Sequence, residues 1–204
     1  MIIDNFDIVS KILKFSNPNE FYYVTILQRK KDGNSNIKAS SSRRLIRSYC
    51  IYSLEELLDL KERIIELCRS NNARAYINPN VRDANQVALE CSKRYIDLVQ
   101  TNRAYQGNRI WDSVCGSCKA PNHKALWIVD IDTPELLSLI NAIIFSCRHD
   151  EKVEYNSFTI PTVHGYHIVC NGFDVNQFQE KLKIQMIEQV DIHKDNPTLL
   201  YYEI

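Results

Sequence analysis

The sequence predicts an α+β protein in which an N-terminal α/β unit packs on a C-terminal half of order β-α-β-β-α-β. Three observations carry this reading. Short apolar, β-branched runs recur between turn residues, stretches with helical spacing separate them, and the second half shows strand-helix-strand twice. At 204 residues the chain is long enough for one domain, or for two small lobes sharing a core. With 45% hydrophobic and 25% charged residues it has the balance of an ordinary globular protein, and 5 Gly and 6 Pro leave little room for a flexible linker. We read it as one domain with lobes at 1–104 and 105–204.

In the first lobe, Phe21 to Leu27 reads as a strand, the polar stretch Lys30 to Ser42 as a loop and Leu45 to Tyr52 as a second strand. Ser53 is a candidate N-cap, with Glu56 completing a capping box. Leu57, Leu60, Ile64 and Leu67 then keep helical spacing to Asn71-Asn72. Ala73 to Asn78 is a strand stopped by Pro79, and Ala84 to Gln100 is a helix.

Asn102 to Lys124 is polar and reads as a loop. Leu126 to Asp132 is a buried strand, and Thr133 caps a helix that has Pro134 at its first position and runs to about Cys147. Val153 to Thr162 and Tyr166 to Cys170 are strands around a turn at His164-Gly165. Asp174 opens a helix to Lys183, Ile184 to Ile192 is a strand, and Thr198 to Ile204 is a terminal extended segment. The order is that of a ferredoxin-like, RRM-like sheet.

Lys+Arg and Asp+Glu both count 25, so net charge makes no case for nucleic acid. The distribution does. Arg29, Lys30, Lys31, Lys38, Arg43, Arg44 and Arg47 face one acid, Asp32, in a stretch suited to phosphates. No apolar run approaches the ~18 residues of a membrane span. The start Met1-Ile2-Ile3-Asp4 lacks a signal peptide's basic and apolar regions, and seven scattered cysteines suit reduced thiols. These features predict a cytoplasmic protein with no membrane partner.

The segment Leu126-Trp127-Ile128-Val129-Asp130-Ile131-Asp132 carries the chemistry. Carboxylates at i and i+2 on a strand share a face, roughly 6.5–7 Å apart. They can bracket two divalent ions lying about 3.5–4 Å from each other. A Mg²⁺ site needs only one or two carboxylates when water and substrate phosphates complete it. Without such a role, an acid following four apolar residues is costly to bury unpaired. The hairpin Thr162-Val163-His164-Gly165-Tyr166-His167 belongs beside that strand in a β-α-β-β-α-β sheet, so His167 and His164 can approach the acids. Gly165 permits close backbone approach. A later strand can add Asp191 as a third carboxylate, with Lys194 beyond it, and Glu203 is a weaker candidate for that third acid.

An Asp-x-Asp strand, a Gly-x-His hairpin and a later Asp, in that order, resemble the archaeo-eukaryotic primase superfamily, as found bare in phages and mobile elements. The chain departs from the family pattern in having Val163 and His164 between Thr162 and Gly165. The resemblance implies an N-terminal α/β unit packed on an RRM-like half. It further implies Asp130, Asp132 and Asp191 as metal ligands for Mg²⁺ or Mn²⁺, His167 against the incoming nucleotide, and Lys194 against phosphate. The expected activity is DNA primase or polymerase nucleotidyl transfer from nucleoside triphosphates on a single-stranded DNA template, with a separately encoded helicase as partner. Arg74 and Arg82 are expected at the template or triphosphate, and Arg43, Arg44 and Arg47 at nucleic acid.

Two rivals remain open. HUH-type Rep endonucleases also use an RRM-like sheet with histidines, but pair them across one residue, whereas two residues separate His164 and His167. A catalytically silent nucleic-acid-binding module of the same fold is the other. Cys115, Cys118 and His123, with Cys147 and His149 as the only further obvious donors, form an incomplete structural zinc pattern.

Overall fold

Two antiparallel sheets organise the chain, whose computed structural model describes residues 1–33, 37, 40–120, 123–149, 155–187 and 190–203. The first part runs β1 (Ile2–Asp4), α1 (Phe6–Ser10), β2 (Glu20–Arg29), β3 (Arg43–Ile51), α2 (Leu54–Asp59), α3 (Lys61–Asn71), β4 (Arg74–Ile77), β5 (Arg82–Asp83), α4 (Ala84–Gln100) and α5 (Ile110–Cys115). The second runs β6 (Leu126–Ile131), α6 (Leu137–Ser146), β7 (Ser157–Pro161), β8 (Tyr166–Asn171), α7 (Val175–Ile184), β9 (Asp191–His193) and β10 (Thr198–Glu203).

The first sheet has the order β1-β10-β4-β2-β3, with β5 also on β2. β2 is apolar on both faces and therefore central. Tyr22, Val24 and Ile26 join one cluster with α3, while Phe21 and Tyr23 pack on α4 and α5 through Val87, Ile110 and Val114. The C-terminal segment is equally two-sided. Leu199 and Tyr202 pack on Ile3 and Tyr76, whereas Leu200 and Tyr201 enter the main cluster. A strand with no polar face cannot sit at an edge, and β10 is inserted between β1 and β4. Sheet membership therefore cuts across the boundary expected at residue 104.

The second sheet has the order β7-β8-β6-β9. Val129, Ile131, Ile168 and Cys170 face α6 and α7, where Ile140, Ile144, Phe178 and Leu182 cover them. Leu126, Ile128 and Val169 face the other way and pack with residues of the first sheet and α1. By strand alternation Asp130 lies on that second face.

Local signals act largely where expected. Ser53 Oγ accepts from Glu56 N at 3.1 Å, and Glu56 returns a bond to Tyr52 N rather than to Ser53. Asp174 caps α7 through Gln177 N at 3.0 Å. Thr133 makes no side-chain cap, because a 3₁₀ turn at Pro134–Leu136 precedes α6. The expected strand Ile184 to Ile192 is mostly absent: α7 continues through Ile184, Met186 turns at φ 55°, and β9 starts only at Asp191. Residues 188 and 189, like Val153 and Lys38, lie outside the described residues. The expected loop Asn102 to Lys124 contains α5, which buries Ile110 and Val114. β1 and α1 carry no sequence signal that singled them out. Among the described residues, no helix is long and apolar enough to cross a membrane.

Truncation after Asn196 tests the role of β10. It removes Leu199, Leu200, Tyr201 and Tyr202, all at most 3% exposed. At about 1.5–3 kcal/mol each, their loss rivals the whole stability of an ordinary domain. The shortened chain should lose its cooperative thermal transition by circular dichroism. A retained sharp transition would contradict the central placement of β10.

Candidate functional site

The register of the second sheet sets the site. Asp130 on β6 is the direct partner of His167 on β8 and of Asp191 on β9. Opposed residues of antiparallel strands project to one face with Cβ atoms on the order of 5 Å apart. His167, Asp130 and Asp191 thus form a transverse row, and Asp132 follows just past the strand end. His193 shares this face two residues beyond Asp191, opposite Ile128.

The row is electrostatically incomplete. Two carboxylates directly opposed destabilise an antiparallel pair. Among the described residues, neither Asp132 nor Asp191 has an ion-pair partner, and Asp130 has only His167, whose Nε2 is 3.5 Å from Oδ1. That donor set of hard oxygens suits a divalent cation such as Mg²⁺ or Mn²⁺. Among the described residues no three His, Cys, Asp or Glu side chains already converge as a closed cage.

His167 is a poor counter-charge. Its side chain is 15% exposed, and burial pushes its pKa below the ordinary 6.5. Asp130 opposes that shift, His193 adds to it, and Asp132 opposes it again. The imidazole is therefore neutral at neutral pH. Its Nδ1 pairs with Thr198 Oγ1 at 2.9 Å, which ties the row to the first residue of β10 in the other sheet.

The turn before β8 is shaped by backbone contact. A Cβ on Gly165 would stand 1.9 Å from Ile131 O and 3.2 Å from Asp132 Cα. Gly165 N donates to Thr162 Oγ1 at 3.1 Å and Gly165 O accepts from Thr162 N at 2.8 Å, closing the turn. His164, exposed on this turn, reaches the same cleft.

A cleft of about 100 Å³ separates the acids from a basic wall. One side carries Asp130, Asp132, His164 and His167, the other Arg29, Lys31 and Arg74. Arg29 donates to Tyr76 Oη at 3.2 Å. Arg74 is 5% exposed, forms a two-pronged ion pair with Asp32, and stacks 4.4 Å from the Tyr202 ring centre. Arg74 lines the cleft, with its guanidinium already matched by Asp32.

Other expected residues lie elsewhere. Arg82 is fully buried and binds the Cys115 and Gly116 carbonyls and the Asp195 carboxylate, so it cannot meet a nucleotide. Lys194 sits over the Trp127 ring at 4.7 Å, on the face opposite Asp130. Glu203 is on β10 of the first sheet, where Tyr201 and Arg69 bind it and lower its pKa. Arg43, Arg44 and Arg47 are exposed on β3, the edge of the first sheet. Arg43 and Arg44 line a separate groove of about 760 Å³ with Arg109, and Arg47 lies 5.6 Å from the Tyr49 ring centre.

The zinc donors are dispersed. Cys115 is buried beside Cys118, His123 bonds Glu20 at 2.7 Å, and Cys147 lies in the helix-covered core with His149 two residues on. Sequence reading missed Arg29 and Lys31 as cleft residues and Thr198 as the anchor of His167. The basic run marked the first two only as charge; nothing local marked Thr198. The chain matches no protein-family model, no curated protein and no solved structure.

Two outcomes test this geometry. Gly165→Ala must displace the end of β6, at a cost of at least about 1–3 kcal/mol, visible as a lower melting temperature and shifted Asp132 resonances. An unchanged melt would remove the contact from the account. The folded protein holds the His167 proton less tightly than the unfolded chain, so acidification below about pH 6.5 favours unfolding. In metal-free protein, histidine NMR should give His167 a midpoint below 6.5, with its contribution to stability lost as pH drops from about 6.5 to that midpoint; a midpoint at or above 6.5 contradicts the burial argument.

Proposed function

We propose that the chain is a DNA primase/polymerase-type nucleotidyltransferase working on single-stranded DNA with nucleoside triphosphates. The observation that carries this is the cross-strand row His167-Asp130-Asp191, in which Asp130 and His167, with Asp132, share one cleft with Arg29 and Lys31. The β-α-β-β-α-β order and the strand order β7-β8-β6-β9 support an RRM-like reading of the second half.

In this reading Asp130, Asp132 and Asp191 hold Mg²⁺ or Mn²⁺. When bound, the ions supply a lowered pKa for the attacking 3′-hydroxyl and charge neutralisation for the departing pyrophosphate. Lys31 and Arg29 neutralise the triphosphate from the opposite wall. Neutral His167 offers its ring at the acid row without competing for a cation. His164 contacts the nucleotide from the turn.

The basic wall continues outward. Arg29 is the register partner of Arg43, and Gln28 of Arg44, so the cleft joins the exposed arginines of β3. Like charges opposed across strands favour a polyanion between them. We assign the template strand to that track, with Arg47 beside it. All seven cysteines are free, which supports a reducing, cytoplasmic setting; a separately encoded helicase is the partner this reading implies.

A gel assay with single-stranded template, labelled nucleotides and Mg²⁺ or Mn²⁺, with and without primer, tests the proposal. The wild type should extend or initiate, and Asp130→Asn with Asp132→Asn should lose about 10³-fold or more. Lys31→Ala should chiefly raise the nucleotide KM. Incorporation that survives the double substitution would sink the two-metal reading. The exposed arginines of β3, which stand apart from the acid row, favour a catalytically silent nucleic-acid binder as second reading. Template binding that persists in EDTA, with no incorporation, would select it. An HUH-type reading gains nothing, because His164 is exposed while His167 is bound to Thr198.

A further inference from the structure

We infer a second ligand site, for a small anion with a planar apolar body, in a cavity of about 330 Å³ at the far end of the Asp130 sheet face. Its volume falls at the lower end of small-molecule sites. Leu126 and Asn171 line it, whereas Asp130 and His167 line the cleft. Four residues along β6 and β8 make a separation of roughly 13 Å. Ile128 and Val169, 1% and 0% exposed, close the sheet face between the two.

The lining has a definite chemistry. Phe158 and Leu126 provide an apolar floor, and among the described residues no Asp or Glu lines the cavity. Lys14, Lys124 and His123 stand on its rim, and among the described residues neither lysine has an ion-pair partner. Cations beside a low-dielectric floor attract an anion more strongly than the same cations on an open surface. Asn156 and Asn171 add amide groups able to donate to a polar ring edge.

The rim is held by buried anchors. Glu20, 3% exposed, accepts from His123 Nε2 at 2.7 Å and from Asn17 Nδ2 at 2.9 Å, which orients the imidazole. Tyr22, also 3% exposed, receives Lys14 N on its hydroxyl at 2.9 Å and donates to Lys14 O at 3.1 Å. Both polar anchors lie on β2, so the Lys14 backbone and the His123 ring are held by the rigid centre of the first sheet.

The shared ligand chemistry is an aromatic ring bearing a phosphate or a carboxylate. The full chain is titrated with phenyl phosphate, benzoate and neutral benzyl alcohol, followed by ¹H–¹⁵N NMR. Both anions should give saturable shifts clustered at Lys14, His123, Lys124 and Asn171, with benzyl alcohol at least about tenfold weaker. The tighter anion identifies the headgroup. K14E/K124E, and the milder K14Q/K124Q with an unchanged melting temperature, should weaken both anions at least about tenfold. D130N/D132N should leave them unchanged, which separates this site from the cleft. Equal binding of the neutral probe, insensitivity to the lysine substitutions, or no saturable shift at the cavity overturns the inference.

Discussion

Asp130 stands between His167 and Asp191 because β6 is held in antiparallel register between β8 and β9. Side chains alternate along a strand, so a slip of one residue would turn Asp130 into the helix-covered core and Ile131 into the cleft. The register is protected by the apolar residues on either side of it. Val129 and Ile131 are locked under α6 and α7, and Ile128 is locked against the first lobe. The acid row is thus an exception that two cores together hold open at the end of a strand.

The second wall of the cleft depends on a different constraint. β10 returns from the second half to lie between β1 and β4, and its first residue, Thr198, carries the hydrogen bond to His167. The same strand supplies Tyr202 under Arg74, whose ion pair with Asp32 fixes the turn after β2. Buried pairs of this kind add little net stability but strongly penalise any arrangement that separates them. Their effect here is positional: they keep Arg29 and Lys31 opposite the acids. The negative row and the positive wall are each unfavourable alone, and a phosphate-bearing ligand with its cations would relieve both.

The acid-bearing strand was legible because an apolar run ending in Asp-x-Asp stands out between turn residues. The hairpin glycine was legible for a similar reason, and its contact with Ile131 O gives the physical cause. Arg82 and Lys194 were misassigned because charge type carries no direction. Arg82 follows Val81 into the core and finds two carbonyls and Asp195, while Lys194 falls one position out of phase with the acid face. The short β9 was overextended because Ile184 and Met186 look like strand residues, yet Ile184 ends α7 and Met186 lies past it, both exposed.

By itself the sequence determined the α+β class, the caps at Ser53 and Asp174, and the placement of Asp130 near the end of an apolar strand with Asp132 just past it. Those depend on periodicity and on bonds within a few residues. Only the tertiary structure decided that Asp191 faces Asp130, that Arg29 and Lys31 rather than Arg82 face the acids, and that the last strand belongs to the first sheet. Each of these rests on pairing between segments far apart in the chain, where the outcome is set by competition among all the apolar faces to be buried at once.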